Sequence, residues 1–271
     1  MLIEKLKDEK NLTPSERVIA EFVLDRDNDV INLSSEELGK LTYTSQATVT
    51  RFYQKIGSKS YREFVVDLNN ELQELRRAEN LIVDNNPIHD ELELEDIIET
   101  LPNLYQKTAI NTKLLLDRKV LQHVCEKIVQ AKMVDVYGIG ITSSLADQMA
   151  FKLNSTGVFC QSHSGYNGSY VYKSAHKNET VAVLITLTGM NETILKIAKR
   201  LKKNHVYTVV IGGGRAADLL DYCDELIKLD TNRYFHIDTL SSLFSAQYII
   251  DIIFSALLVE LNHQKIGLEN K

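Results

Sequence analysis

Apolar residues recur along this chain with two different periods, and the change of period divides it. Up to about residue 77 the spacing is helical. Behind Thr13-Pro14-Ser15-Glu16, the residues Val18, Ile19, Phe22 and Val23 repeat at steps of three and four. That prefix marks a helix start: a hydroxyl cap, a proline in the first turn, and a carboxylate near the positive end of the helix dipole. Ser34 followed by Glu37 is a capping box opening a second helix. Ser45 is a good cap for a third, reaching Lys55. Phe64, Val65, Leu68, Leu72 and Leu75 share one side of a fourth over about 61–77.

A polar stretch at 80–95, holding Asn85-Asn86-Pro87 and a cluster of acids, reads as a linker. Helical spacing resumes over about 96–130, and then the period shortens. The apolar runs 133–137, 181–185 and 206–211 predict strands, with amphipathic helical stretches between and after them. This alternation predicts a parallel sheet with helices on both faces. The last helix, with Leu240, Leu243, Phe244, Ile249, Ile250 and Ile253, is apolar on nearly every side and is expected to be buried all round, in part by the domain core and for the rest by a subunit interface. The expected organisation is an all-α head at 1–77, a linker at 78–95 and a three-layer α/β domain at 96–271.

Composition changes this picture little. A length of 271 residues lets each of two domains bury a core. The opening MLIEKLKDEK lacks the apolar region of a secretory signal, and the apolar stretch 239–261 is broken by Gln247 and Asp251. A cytoplasmic location without a membrane partner is the expectation. Cys125, Cys160 and Cys223 form no CxxC pair and have no histidine at zinc spacing, so reduced, packed thiols are expected, with no metal or cofactor. Charge matters by position. The net charge of −6 argues against a wholesale polyanion binder, yet Lys40, Arg51, Lys55, Lys59 and Arg62 lie between Leu38 and Arg62 with no Asp or Glu among them.

That basic stretch coincides with a helix-turn-helix pattern, Ser34 to Gly57. Leu38, Val49 and Phe52 would face inward, and Gly39 is small where two helices would cross. Tyr43 stands in the turn where many such motifs use glycine. The third helix would present Ser45, Gln46, Thr48, Thr50, Arg51 and Lys55 away from the core, with Lys59 just beyond it. Short polar side chains can read base edges, and cations meet phosphates, so double-stranded DNA is the expected partner.

Residues 12–68, notably TPSERVIAEFV, LSSEELGKL, SQATVTRFYQKIG and SYREF, resemble the N-terminal domain of the RpiR family of bacterial regulators. Ala47-Thr48-Val49-Thr50-Arg51-Phe52 followed by Lys55-Ile56-Gly57 matches its characteristic element. The resemblance implies a sugar isomerase (SIS) domain in the second half, and hence a transcriptional regulator of carbohydrate metabolism genes.

Two loops there have chemistry suited to a phosphate. Tyr137-Gly138-Ile139-Gly140-Ile141-Thr142-Ser143-Ser144 follows one strand, and Thr186-Leu187-Thr188-Gly189-Met190-Asn191 follows another. Glycines allow tight turns, hydroxyls donate hydrogen bonds, and helix N-termini attract anions. Both loops would lie at the carboxyl ends of strands. The candidate ligand residues are Gly140, Thr142, Ser143, Thr186, Thr188, Gly189 and Asn191. The first loop lacks the third glycine of a dinucleotide fingerprint and the lysine of a P-loop, and Gly212-Gly213-Gly214 has no further polar grouping.

Residues 121–258 resemble the SIS domain, which implies a phosphosugar effector. Thr142, Thr186, Thr188, Gly189 and Asn191 occupy that family's loop positions, with Thr and Asn for its usual hydroxyl residues and Leu243 where an arginine is common. An isomerase would need an acid and a base. Glu192, His163, His176, His205 and His236 show no spacing that pairs them, so no catalytic residue is expected. Paired DNA half-sites imply a homodimer or dimer of dimers. The alternatives are a phosphosugar isomerase-like enzyme and a regulator whose SIS domain only dimerises.

Overall fold

The structure is a computed structural model that describes residues 2–7, 11–25, 30–81, 87–173, 179–232 and 239–269. It divides into two compact units, Met1–Leu81 and Ile82–Lys271.

The first unit is built of α1 (Leu2–Lys7), α2 (Pro14–Leu24), α3 (Ser35–Leu41), α4 (Gln46–Lys55) and α5 (Tyr61–Leu81). Local chemistry sets the starts. The Glu16 carboxylate accepts from the Thr13 backbone N–H at 2.8 Å, and Ser34 and Glu37 bond each other's backbone N–H reciprocally. Ser45 Oγ accepts from the Thr48 N–H at 3.1 Å. The apolar stripes then close on one core in which Ile19, Val23, Leu38, Val49, Phe52 and Phe64 are fully buried. Phe52 meets Phe64 edge-on with centroids 5.9 Å apart. The last helix runs to Leu81 instead of ending near Arg77, because Ala78 extends its buried stripe and nothing before Leu81 breaks a helix.

The second unit begins with α6 (Leu94–Leu115) and α7 (Arg118–Gln130). A five-stranded sheet follows: β1 (Met133–Gly138), β2 (Cys160–His163), β3 (Thr180–Thr186), β4 (Tyr207–Gly212) and β5 (Glu225–Lys228). Every pairing is parallel and the order is β2-β1-β3-β4-β5. Between the strands run α8 (Ser143–Thr156), α9 (Gly168–Lys173) and α10 (Glu192–Lys203), and α11 (Thr239–Glu269) ends the chain. Side chains alternate across the sheet. Val134, Val136 and Val183 join α7, α8 and α11 on one face, while Tyr137, Ala182 and Leu184 join α10 on the other. These two cores make a three-layer α/β unit.

Within one chain the core covers part of the final helix. Ala246, Ile249, Ile250, Ile253 and Leu257 are buried among α6, α7 and α8, but Val259 is 57% exposed and Leu258 is also exposed. A helix has more sides than one sheet face can cover. By length and composition Thr239–Asn262 could cross a bilayer; in this fold it is a core helix with an uncovered outer side. The Cys160 and Cys223 thiols are packed inside, where burial pushes each up to about 12.

Candidate functional site

In the first unit α3 and α4 cross closely over Gly39, where an added Cβ would stand 3.1 Å from the Thr44 carbonyl oxygen. Val49 and Phe52 anchor the underside of α4. Its other side carries the residues expected to meet DNA. Ser45, Gln46, Arg51, Lys55 and Lys59 are exposed, and Thr48 and Thr50 are half-buried. Ser45 and Thr48 hydroxyls lie 2.9 Å apart, and the Gln46 amide donates to Ser35 Oγ at 3.0 Å.

The basic stretch is less bare than its sequence suggests. Lys40 pairs with Glu36 at 2.7 Å, and Lys55 pairs with Glu16 at 2.7 Å. The second partner lies 39 residues away, so no local count of charges finds it. Burial acts to raise the Glu16 carboxyl, but hydrogen bonds from Lys55 and Thr13 outweigh it and hold the group below the ordinary carboxylate value. Lys55 therefore braces α4 against α2 as well as carrying charge. Among the described residues, Arg51 bonds along its own helix, to the Ala47 carbonyl oxygen at 3.4 Å.

The turn between α3 and α4 is a closed motif. Thr44 N–H donates to the Gly39 carbonyl oxygen at 2.7 Å and Tyr43 N–H to that of Lys40 at 3.2 Å. This forces Tyr43 into the left-handed region at φ 52, where glycine is unstrained and other residues cost about 1–2 kcal/mol.

In the second unit the two candidate loops leave the carboxyl ends of the adjacent strands β1 and β3. In this strand order the chain reverses its winding between them, and the crevice at such a switch point is where open α/β sheets bind ligands. Gly138 and Gly189 are required by packing: an added Cβ would stand 2.2 Å from the Thr142 carbonyl oxygen and from the Ala216 nitrogen respectively. Gly140 and Gly189 adopt φ 67 and 70.

The predicted loop hydroxyls point mostly inward. Thr142 is buried; its hydroxyl accepts from the Ile139 N–H at 2.9 Å and lies 3.2 Å from the Ile139 and Ile185 carbonyl oxygens. Thr186 is buried and accepts from the Gly189 N–H at 3.1 Å. Thr188 accepts from the Met190 N–H at 3.3 Å. Asn191 caps α10, its Oδ1 accepting from the Thr193 and Ile194 N–H groups. The start of α8 is different. It has no side-chain cap, and the hydroxyls of Ser143 and Ser144 donate back to the Gly140 and Ile141 carbonyl oxygens from accessible positions. Gly213 and Arg215 donate to the Thr186 and Thr188 carbonyl oxygens, so the triple-glycine turn supports the second loop.

One polar cluster had no signature in the sequence. Asp135 is fully buried on β1; its Oδ1 lies 2.7 Å from His163 Nε2 and accepts from the Tyr170 hydroxyl at 2.9 Å. Tyr137 stacks on the His163 ring at 4.7 Å. Burial, then the nearby Asp135 charge, pushes both phenols above their ordinary range, keeping them protonated. His163 thus ends strand β2 and is tied to an aspartate. Glu192 is exposed near Lys196, His205 follows α10, and His176 and His236 lie outside the described residues. Leu243 packs against the core under α11. A cavity of about 460 Å³ opens at the opposite end of the sheet, lined by Lys127, Gln130, Glu179, Lys202, His205 and Tyr207 among others; the two candidate loops do not line it.

Comparison with known proteins agrees with this division. Residues 1–75 match the helix-turn-helix domain of the rpiR family, and residues 127–254 match the SIS domain. An uncharacterized HTH-type transcriptional regulator of Haemophilus influenzae is 24% identical over 255 residues, covering 93% of this chain and 87% of that protein. The Vibrio vulnificus NanR protein, solved in complex with ManNAc-6P, covers 100% of this chain and 96% of its own, with TM-score 0.57 and 19% identity. The sugar isomerase domain of an RpiR transcription factor from Sphaerobacter thermophilus covers 63% of this chain and 94% of its own, with TM-score 0.55 and 12% identity. The chain is a transcriptional regulator with an N-terminal helix-turn-helix domain of the rpiR family and a C-terminal SIS domain.

Proposed function

We propose that this regulator acts in the cytoplasm on carbohydrate metabolism genes, binding duplex DNA through α4 and a phosphorylated sugar through the β1 and β3 loops. The observation that carries the DNA half is the exposure of Gln46 and Arg51 on a helix whose underside is locked by Val49 and Phe52, with Lys59 exposed just beyond its end. Gln46 and Thr48, at the amino end, are placed to read base edges, while Arg51, Lys55 and Lys59 meet phosphates. For the effector half, the start of α8 beside the accessible Ser143 and Ser144 hydroxyls is the best anion seat, at the positive end of that helix. Thr142, Thr186 and Asn191 shape the loops, and the backbone of Gly140 and Gly189 lets them approach a ligand. The complex of NanR with ManNAc-6P supports a hexosamine 6-phosphate as the first effector class to try.

A second copy of the chain is the further partner. Phe151 on α8 is 78% exposed, and Phe159, Leu258 and Val259 are exposed as well, large apolar side chains suited to self-association. The inward hydroxyls favour one rival, in which the SIS unit only dimerises. Arg51→Ala is expected to weaken binding to the chain's own upstream DNA about tenfold and to lower the salt dependence by about one phosphate contact. Unchanged, salt-independent binding would count against the DNA half. Melting with hexosamine and pentose phosphates separates the rivals: saturable stabilisation excludes a purely dimerising unit.

A further inference from the structure

Four helix ends among the described residues close with the same pair of backbone hydrogen bonds. After α4 and α8 the left-handed residue is Gly57 or Gly157, at φ 105 and 94. After α3 and α10 it is Tyr43 or His205, at φ 52 and 57. Glycine adopts this conformation without strain, and the chain uses it where the turn has only to close. At Tyr43 a bulky side chain holds the strained position while 97% exposed, so its ring gives the fold almost nothing in return. Strain kept at an exposed position points to a partner.

The position says which partner. Tyr43 lies two residues before the Ser45 cap, at the end of α4 that carries Gln46 and Thr48. When a recognition helix enters the major groove by its amino end, the residues just ahead of it sit at the groove's rim, where the sugar-phosphate backbone runs. A phenol suits that surface. Its hydroxyl donates to a phosphate oxygen and its ring covers deoxyribose. We infer that Tyr43 is a DNA contact, its phenol resting on the sugar-phosphate backbone beside the half-site that α4 reads. This rests on the DNA-binding reading above and adds a residue to it. The contact is neutral, so it displaces no counterion, and it touches no base, so it carries no sequence preference.

The experiment uses the full chain, a labelled duplex enriched by that chain from a random pool, and a shuffled duplex. Affinities are measured by anisotropy across a salt series for wild type, Tyr43→Gly, Tyr43→Phe and Arg51→Ala. Tyr43→Gly relieves the strain, so it is expected to melt higher by about 4 °C. It is nevertheless expected to bind both duplexes weaker by the same factor, about fivefold, with an unchanged salt slope. Tyr43→Phe keeps ring and strain; it melts like wild type and loses about twofold. Arg51→Ala lowers the slope by about one. If Tyr43→Gly binds like wild type while Arg51→Ala is weakened, the Tyr43 inference falls and the DNA-binding reading stands. A change of preference between the duplexes with Tyr43→Gly also overturns the backbone contact. If the pool yields no enriched duplex, both fall.

Discussion

The two units place similar residues, hydroxyls and amides beside a helix start, in opposite attitudes. At α4 they stand outward: Gln46 is exposed, Thr48 is half-exposed, and the fold needs from them little beyond the Ser45 cap. At the SIS loops Thr142, Thr186 and Asn191 are bonded to nearby backbone, and in the proposed site an anion meets the start of α8 together with Ser143 and Ser144. One surface is made by side chains and the other largely by main chain. Substitutions should therefore read out differently in each: on α4 they change binding and spare the fold, whereas in the loops most change the fold first.

The largest effect tests the clamp beneath α4. Phe52→Ala empties a fully buried site and is expected to cost about 3–5 kcal/mol, seen as early hydrogen exchange of α3 and α4 amides and loss of DNA binding. In the loops, Gly189→Ala drives a Cβ to 2.2 Å from backbone and is expected to cost about 3 kcal/mol or more, while Gly140→Ala meets open space and pays only for its positive φ, about 1 kcal/mol. Equal costs in thermal melts would mean that the two loops are not braced as described. Thr142→Val should lose about 1–3 kcal/mol by orphaning buried partners, whereas Ser144→Ala should leave stability within about 0.5 kcal/mol and weaken phosphosugar binding by calorimetry.

A modest effect concerns acid. Glu16 is held below its ordinary value in the fold, so its contribution is complete above that value and is lost as pH falls through the lower, folded one. Removing its ammonium partner with Lys55→Met should cost about 1 kcal/mol at pH 7 and less as the pH falls below 4. Arg51→Ala should leave the acid limb of the stability curve unchanged.

What could be read along the chain was whatever is local. The caps at Ser34 and Ser45, the stripes of α2 and α4, the glycine-bearing loops and the three apolar strands each declare themselves within a few residues. What could not be read depends on distant partners. The start of α1 is capped by Glu71 of α5, which accepts from the Leu2 and Ile3 N–H groups. Strand β5, Glu225–Lys228, has too much charge at its ends to look like a strand and owes its place to β4. The inward turn of Thr142 depends on the Ile185 carbonyl on β3, and the tie between His163 and Asp135 crosses 28 residues. Residue type told where a polar side chain would be useful; only the fold decides which way it turns.

The proposed function requires that phosphosugar bound at the β1 and β3 loops change the affinity of α4 for DNA. The direct measurement is the dissociation constant of a selected duplex with and without saturating hexosamine 6-phosphate, together with the reciprocal measurement of sugar affinity with and without duplex. Coupling of about 1–3 kcal/mol predicts a change of roughly 5- to 150-fold, equal in both directions. Identical duplex affinities in the presence of a sugar phosphate that demonstrably binds would contradict it.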